Sequence, residues 1–407
     1  MKINTKKKSM KRILIGLMSF GVIVTMVSVQ LPTSTYAAKL TRHKSYFPSS
    51  AYGLNAKQPN IFARKLNQNP LFSAQLMSPN GIKKIYGLNG SNGGTGTIAI
   101  VDVGHYATAS SDMHYFSQFY GLKDCTTGNG CLTVHECGVA DGCTTDTMPS
   151  SDSQNWTLET ALDLQWAHAI APNSKILLIE VPNPNVTNLF SGVKYSNTQT
   201  GVVATSMSWG TSEFPDESTI DSLVFTSSTN KYFAATGDSG HTLDINYPAA
   251  SPKVIAVGGT TLGLKFDGSL KIESAWSGSG GGISKYETEP SYQTTYGITN
   301  TGNMRSIPDV SLNSDPNTGY PIYATQNNVA SWMSAGGTSI ASPIWAAIEA
   351  NSVNGFSIGK LYADAKSVPA VFRDITTGNN GTCGALCNAV AGYDFTTGLG
   401  VPATYKY

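Results

Sequence analysis

Short apolar runs recur along the chain, and each is bounded by glycines or polar residues. Runs of this length without polar interruption are typical of strands buried on both faces of a parallel sheet. Helical stretches lie between several of them, so the order predicts an α/β fold with helices on both faces of the sheet. The predicted strands are residues 97–103, 176–181, 201–208, 232–236 and 254–257, and the predicted helices are residues 77–86, 156–171, 189–196 and 217–228.

The N-terminus has the three parts of a secretory signal peptide. Basic residues come first, an uncharged apolar run covers residues 13–31, and small residues around Ala37 offer a cleavage point. A single membrane anchor is the alternative, but Pro32 breaks the run. We therefore expect residues 1–37 to be removed and the protein to be secreted. Residues 38–77 are polar and contain prolines, which indicates an irregular extension or a short pro-segment.

Composition limits the partners of the mature chain. Cleavage after residue 37 would remove six of the 27 basic residues and none of the 26 acidic ones. The remaining chain is mildly acidic and sparsely charged, which argues against a nucleic-acid partner. No later apolar run is long enough to span a membrane. We expect a monomer built around one large domain.

Six cysteines lie in loops rich in small polar residues and agree with export. An even number in an exported chain suggests disulfides, although spacing alone leaves the connectivity open. Pairing of nearest neighbours is one hypothesis. It would join Cys125 to Cys131, Cys137 to Cys143, and Cys383 to Cys387.

A turn of small residues, Gly336-Gly337-Thr338, runs into an apolar helix and places Ser339 at its start. A nucleophile there gains from free backbone N–H groups and from the positive end of the helix dipole. The ordinary alternative is a serine that caps the helix. The nucleophile hypothesis requires a base, an orienting group and an oxyanion donor elsewhere in the chain.

Glu159 and Asp163 lie four residues apart in a predicted helix and therefore share one face. Their neighbours are mostly apolar, and a buried carboxylate pair tends to share a proton. Such a pair supplies a carboxylate base in place of an imidazole base, whereas the alternative is a solvated acidic face. His168 lies about 140° round the helix from Asp163 and is expected to be structural.

Polar positions follow three of the predicted strands, where the sites of open parallel sheets form. Asp238 occupies a glycine-flanked turn, and it could either stabilise an Asx-turn or, when protonated, donate a hydrogen bond to an oxyanion. The three positions are Asp102, the tripeptide Ser208-Trp209-Gly210, and Asp238.

Five motifs occur in one order with plausible spacing. They are the strand ending at Asp102, Leu158-Glu159-x-x-x-Asp163, Ser206-Met-Ser-Trp-Gly210, Gly237-Asp238-Ser-Gly240, and Gly337-Thr338-Ser339-x-x-x-Pro343. This ordered set resembles the sedolisin, or serine-carboxyl peptidase, family, which has a subtilisin-like fold. The resemblance implies a three-layer α/β fold with a central, mostly parallel sheet, and a peptidase catalytic domain over residues 78–407.

The resemblance also implies a role for each catalytic candidate. Ser339 would be the nucleophile, and Glu159 would be the general base, oriented by Asp163. Asp238 would be an oxyanion donor beside the backbone N–H of Ser339. Because that role requires an un-ionised carboxyl group, we expect peptide-bond hydrolysis at acidic pH through an acyl-enzyme.

Other positions would support this set. Asp102 and Trp209 match positions at which some family members extend the carboxyl network. Ser208, Trp209 and Gly210 would present their backbone to an extended polypeptide substrate. Family members usually carry a long, folded, inhibitory pro-domain, and residues 38–77 are short for that role.

The family binds one calcium ion near its C-terminus, and the resemblance implies the same structural ion here. The matching carboxylates are Asp374 and Asp394, and the matching carbonyls belong to Ile375, Val390 and Gly392. Calcium prefers such oxygen ligands. The alternative is that the two aspartates belong to unrelated turns.

Two other functions are compatible with parts of the sequence. A subtilisin-type Ser-His-Asp peptidase would need a histidine facing Ser339, usually in an H-G-T-H string that this chain lacks. A catalytically inactive secreted binding protein could use the same fold. It would have no need of the complete set of catalytic residue types.

Overall fold

The computed structural model describes residues 47–57, 63–65, 77–89, 93–138, 143, 156–241, 245–353 and 355–403. The predicted signal peptide lies outside these ranges, as does most of the predicted extension. Among the described residues, no helix is long and apolar enough to cross a membrane.

A sheet of eight strands forms the centre of the fold. The strands are β1 (Thr97–Val103), β2 (Leu132–Glu136), β3 (Lys175–Val181), β4 (Val202–Met207), β5 (Lys231–Ala235), β6 (Val254–Leu264), β7 (Leu270–Ala275) and β8 (Val310–Asn313). Their order across the sheet is β7-β6-β5-β4-β1-β3-β2, and β8 also pairs with β6. Every pair is parallel except β6 with β7. The prediction of a mostly parallel sheet is confirmed.

Helices cover both faces of this sheet. They are α1 (Pro79–Ile85), α2 (Ala109–Tyr120), α3 (Trp156–Ile170), α4 (Val186–Thr198), α5 (Glu217–Val224), α6 (Ser291–Tyr296), α7 (Thr338–Asn351) and α8 (Ile358–Ser367). Alternate residues of β1 enter two different hydrophobic cores. Ile98 and Ile100 pack in the core with α3 and α7, whereas Ala99 and Val101 pack in the core with α4 and α5. The predicted three layers are therefore present.

Most predicted elements are confirmed with small shifts of their ends. β6 runs on to Leu264 because it continues into an antiparallel hairpin with β7. Helix α5 ends at Val224, four residues before the predicted end. Six elements were not predicted, namely α2, α6, α8, β2, β7 and β8. β2 is an edge strand whose polar residues interrupt the apolar run that marks the central strands.

A hairpin outside the main sheet delivers the chain to α7. Its strands, Tyr320–Gln326 and Val329–Ala335, are joined by Asn327 and Asn328, which have φ values of 49° and 61°. Asparagine tolerates this left-handed conformation, which suits the twist of a two-residue hairpin turn. The second strand ends immediately before the turn that contains Gly337.

Shorter strands complete the described structure. Arg64–Lys65 adds a third strand to the hairpin by pairing with Val329–Ala335. The remaining strands are Thr211–Ser212, Asn246–Tyr247, Gly282–Thr288, Met304–Ile307, Phe372–Arg373 and Val401–Pro402.

The three disulfides join nearest neighbours, as predicted. They link Cys125 to Cys131, Cys137 to Cys143, and Cys383 to Cys387.

The described part of the N-terminal extension packs on the rest of the fold. Phe47, Ala51 and Ala56 are buried in the core that contains α4. The ring of Phe47 lies 5.9 Å from that of Phe190. The extension thus contributes apolar contacts to the same body that contains the predicted catalytic residues.

A fully buried ion pair fixes the strand that leads into β8. The guanidinium of Arg305 donates to both carboxylate oxygens of Asp309, at 2.8 and 2.6 Å. Asp309 also accepts from the backbone N–H of Ala256 in β6 and from the Tyr362 hydroxyl of α8. One carboxylate therefore connects the sheet, the Met304–Ile307 strand and α8.

We expect Arg305→Met to lower the free energy of unfolding by roughly 3–5 kcal/mol, because Asp309 would keep a buried charge without its counter-charge. The measurement is urea unfolding followed by circular dichroism. The control is Lys360→Met, which breaks an exposed pair with Asp364 and should change stability by about 1 kcal/mol or less. Equal effects of the two substitutions would contradict the assigned role.

Candidate active site

Ser339 is the second residue of α7, and its side chain is fully buried. The helix cap is Gly337, so the alternative of Ser339 as the capping residue is wrong. Gly337 has a φ of 133°, which residues other than glycine rarely adopt. A Cβ atom at this position would lie 2.6 Å from Asp238 Oδ2. Among the described residues, Ser339 Oγ has no hydrogen-bond partner. The hydroxyl group is thus held in the first turn of a buried helix and remains available for chemistry.

Asp238 is held against this turn by one of its two oxygens. Its Oδ1 accepts from the Thr338 backbone N–H at 2.7 Å and from the Thr338 hydroxyl at 2.8 Å. Its Oδ2 has no described hydrogen-bond partner and lies beside Gly337. Burial raises the pKa of Asp238 to about 6, although the bonds from Thr338 act in the opposite direction. In acid, a proton on Oδ2 would make the group a donor at the N-terminus of α7.

The loop that contains Gly278 and Gly280 packs against the turn that contains Asp238. Gly280 donates its backbone N–H to Gly237 at 2.8 Å, and Gly240 donates to Gly278 at 2.8 Å. A Cβ on Gly280 would lie 2.1 Å from the Thr236 carbonyl oxygen. The two loops therefore approach as closely as their backbones allow.

Glu159 and Asp163 lie on α3, which packs against α7. Both side chains are fully buried, so the alternative of a solvated acidic face is wrong. Burial raises the pKa of Asp163 well above its usual range, and the charges of Asp102 and Glu159 raise it further. Such a pair holds protons in acid and can exchange them with a neighbouring group.

Ser208 connects the two helices. Its hydroxyl donates to the backbone carbonyl of Ser339 at 3.1 Å. Ser208 also lies close enough to Asp163 to lower the pKa that burial has raised. The structure therefore brings the first turn of α7 and the carboxyl pair of α3 to one hydroxyl group.

Asp102 is fully buried, and its charge contributes to the raised pKa of Asp163. Burial raises the pKa of Asp102 to about 7, the Thr160 hydroxyl opposes this shift, and the charge of Glu180 adds to it. Asp102 and Glu180 are paired residues of the neighbouring strands β1 and β3. Trp209, which was expected to support the network, instead donates its indole N–H to the Val101 carbonyl at 2.8 Å.

Gly210 offers a backbone edge at which another strand already pairs. Its N–H donates to the Lys57 carbonyl at 3.3 Å, and the Lys57 N–H donates back to the Gly210 carbonyl at 2.7 Å. This antiparallel bridge is formed by the chain's own N-terminal extension. The edge predicted to receive an extended peptide therefore has the geometry for strand addition.

No histidine in the described ranges makes a hydrogen bond to Ser339. His168 is structural, as predicted, because its Nε2 lies 2.6 Å from the Lys123 carbonyl and burial lowers its pKa to about 4. His105, which follows Asp102 closely, points to Glu180. The histidines within the described ranges are His105, His114, His135, His168 and His241.

The predicted calcium ligands lie on converging C-terminal loops. The Gly392 N–H donates to Asp374 Oδ2 at 2.7 Å, which joins the two loops. The buried Asp394 carboxylate accepts from the Val390 N–H at 3.1 Å and from the backbone of Thr397 at 2.7 Å. Two carboxylates beside exposed backbone form an oxygen-only set, which fits calcium.

Sequence reasoning missed the partners that orient the predicted residues. Thr338 was treated only as part of the turn before the serine, although it holds Asp238. Thr160, one residue after Glu159, opposes the rise in the pKa of Asp102. Glu180 was placed correctly in a strand, but only the strand register shows that it neighbours Asp102.

Comparisons with known proteins agree with this arrangement. A model described as "Subtilase family" matches residues 150–365. Sedolisin from Pseudomonas sp. (strain 101) is 37% identical over 177 residues, which cover 40% of this chain and 29% of that protein. Kumamolisin from Bacillus sp. (strain MN-32) is 30% identical over 341 residues, which cover 75% of this chain and 58% of that protein. The matches thus span less than two thirds of either relative's length.

A solved structure of a sedolisin is also similar to this chain. Pseudomonas sedolisin, described as a serine-carboxyl proteinase complexed with two molecules of pseudo-iodotyrostatin, aligns with a TM-score of 0.67 and 26% identity. The alignment covers 80% of this chain and 95% of that one. With its three-layer fold, the chain belongs to the subtilase family, and within it to the sedolisin group.

Proposed function

We propose that the protein is a secreted, monomeric serine-carboxyl peptidase that hydrolyses polypeptides in acid. One observation carries this proposal: Asp238 is fixed to Thr338 by one oxygen, while its other oxygen lies at the start of the Ser339 helix. A carboxyl group in that position can donate a hydrogen bond to an oxyanion only when it is protonated.

The proton movements follow from the residues around Ser339. Glu159 accepts the proton of Ser339 Oγ as the oxygen attacks a peptide carbonyl carbon. The oxyanion then receives hydrogen bonds from the protonated Asp238 and from the backbone N–H of Ser339. This N–H lies in the first turn of the helix, where N–H groups have no acceptor within the helix. Glu159 returns its proton to the leaving amine as the peptide C–N bond breaks, and an acyl-enzyme remains.

Water completes the cycle through the same groups. Glu159 removes a proton from water, which attacks the acyl carbon, and then returns the proton to Ser339 Oγ as the product acid leaves. Asp163 and Glu159 share protons as a pair, because the two buried carboxyl groups lie on one helix face. Asp102 supplies a third member of this network.

The substrate is an extended polypeptide that pairs with the backbone of residues 208–210. The bridge between Lys57 and Gly210 supports strand pairing at this edge, and a substrate strand would have to take the place of Lys57 there. Cleavage within chains and removal of N-terminal tripeptides are both compatible with such an edge, and the masses of the products distinguish them.

One structural calcium ion completes the proposal. The carboxylates of Asp374 and Asp394 would bind it, together with the carbonyls of Ile375, Val390 and Gly392. The ion would neutralise the two carboxylates and hold the loops together. It takes no part in the reaction.

Ser339→Ala and Glu159→Gln should each reduce turnover of an unfolded protein substrate by at least about 10⁴-fold, because they remove the nucleophile and its base. The measurement is peptide release at pH values across the acid and neutral range, with product masses determined. Glu349→Gln is the matched control, since Glu349 is another buried glutamate but lies on the last turns of α7.

Each other outcome points to a different function. Retained turnover in Glu159→Gln would favour a histidine base. Hydrolysis that does not depend on Ser339 would contradict a serine mechanism. The absence of Ser339-dependent hydrolysis at every pH would support the inactive binding protein.

Activity should fall as the pH rises through about 6, because Asp238 then loses the proton that it must donate. Asp238→Asn should move this fall to higher pH, since an amide N–H donates at any pH. Asp238→Ala should instead lower kcat by about 10²–10³-fold at every pH. The measurement is the pH dependence of kcat. An unchanged alkaline limb in Asp238→Asn would assign that limb to another group.

Chelation of calcium should lower the melting temperature by roughly 5 °C or more, and added calcium should restore it. Asp374→Asn should remove this response, because it takes away one of the two carboxylates. Asp267→Asn is the control, since Asp267 is an exposed turn aspartate that bonds only to Ser269 among the contacts described. A melting temperature that is insensitive to chelation and to calcium would contradict the calcium site.

A further inference from the structure

A second cluster of ionisable side chains lies at the carboxyl edge of the sheet, outside the proposed catalytic machinery. Glu136 is the last residue of β2, Glu180 is the sixth residue of β3, and His105 follows β1 by two residues. Glu136 and Glu180 are paired across the parallel strands β2 and β3. The topology therefore brings three potential metal ligands from three neighbouring strands to one point.

The ligand atoms of this cluster converge. His105 Nδ1 lies 2.8 Å from Glu180 Oε2 and 3.2 Å from Glu136 Oε1. Ligand atoms around a tetrahedral zinc ion lie about 3.3 Å apart, because the metal–ligand distances are about 2.0–2.1 Å. The His105–Glu136 distance already matches this spacing, and the His105–Glu180 distance would need to open by about 0.5 Å. All three ligand atoms lie within 4.8 Å of one another.

The surroundings orient these ligands and leave a path from solvent. The Tyr106 backbone N–H donates to Glu180 Oε1 at 2.7 Å, which directs Oε2 towards the cluster. Such secondary bonds are typical of metal-binding carboxylates. The side chains of His105 and Glu136 are 26% and 14% exposed, whereas that of Glu180 is fully buried. Solvent can therefore reach the cluster on the side of His105 and Glu136.

The charges of the cluster favour a cation. Two carboxylates face one imidazole, and a third carboxyl group, Asp102, lies beside Glu180 in the neighbouring strand. A proton on His105 Nδ1 would compensate only one of the two carboxylates. One nitrogen and two carboxylate oxygens form a ligand set that zinc and related first-row metals accept, and calcium does not favour imidazole.

Other groupings of this kind carry no such site. Within the described ranges, each of the three remaining histidine-containing clusters includes cysteines that are joined in disulfides. Disulfide sulfurs are not thiolates and do not bind zinc as thiolates do. The His105 cluster consists of one imidazole and two carboxylates and contains no disulfide sulfur.

We propose that His105, Glu136 and Glu180 bind one zinc-like divalent cation near neutral pH. Metal ligands must be in their deprotonated forms, so protons compete with the ion and binding fails in acid. The groups that face His105 are Glu136 and Glu180, and Asp102 faces Glu180. The site is separate from the calcium loops and from Ser339.

The test is calorimetric titration of zinc chloride into the tag-free full chain, in a Ser339→Ala background that excludes self-digestion. At pH 7 we expect one bound equivalent and a rise in melting temperature. His105→Asn and Glu136→Gln should each weaken this binding by roughly 100-fold or more, because each removes a ligand. At pH 4 the equivalent should be lost, and calcium chloride should not displace zinc at pH 7.

The chain offers a matched control in a second histidine–carboxylate pair. His114 Nδ1 lies 3.0 Å from Asp124 Oδ1, but no third ligand joins it in the metal-binding groups described. His114→Asn should therefore leave the zinc equivalent intact. Failure of the parent to bind zinc, or equal binding by the parent and both ligand variants, would overturn the proposal. Because the readout is metal binding, neither result depends on peptidase activity.

Discussion

Burial of carboxyl groups at one edge of the sheet is the constraint on which the proposed chemistry depends. An ionised carboxylate is expensive to keep away from water, so a buried carboxyl group retains its proton to higher pH. Asp102, Asp163 and Asp238 all have raised pKa values for this reason. Such groups hold protons at higher pH than exposed carboxyl groups do, and the proposed mechanism uses these protons without an imidazole.

The same burial couples the stability of the fold to pH. A carboxyl group whose pKa is higher in the folded chain than in the unfolded chain stabilises the fold most below its unfolded value. For Asp238 that contribution is lost as the pH rises from about 4 towards and beyond 6, and for Asp102 as it rises towards and beyond 7. Glu217 and Glu287, which lie outside the proposed site, act in the same direction with pKa values of about 9 and 8. Fold and proposed mechanism therefore favour the same protonated state.

The sequence pattern predicted the strands and helix faces, which depend on residues close together in the chain. The bounds of β1 were predicted without error, because seven consecutive residues lie between two glycines. The face shared by Glu159 and Asp163 followed from helical periodicity. The pairing of Asp102 with Glu180 could not be predicted, because it depends on the register of strands almost eighty residues apart. The same is true of the bridge between Lys57 and Gly210.

The tripeptide Gly337-Thr338-Ser339 shows how closely local and distant requirements can coincide. Gly337 gives the backbone a conformation and a clearance that allow Asp238 to approach. Thr338 uses its N–H and its hydroxyl to hold one oxygen of that aspartate. Ser339 then lies in the first turn of a buried helix, where backbone N–H groups lack acceptors within the helix. From this tripeptide alone, Ser339 can be predicted only to lie in a helix. The carboxyl group of Asp238, a hundred residues away in the chain, explains why each of the three positions has the residue that it has.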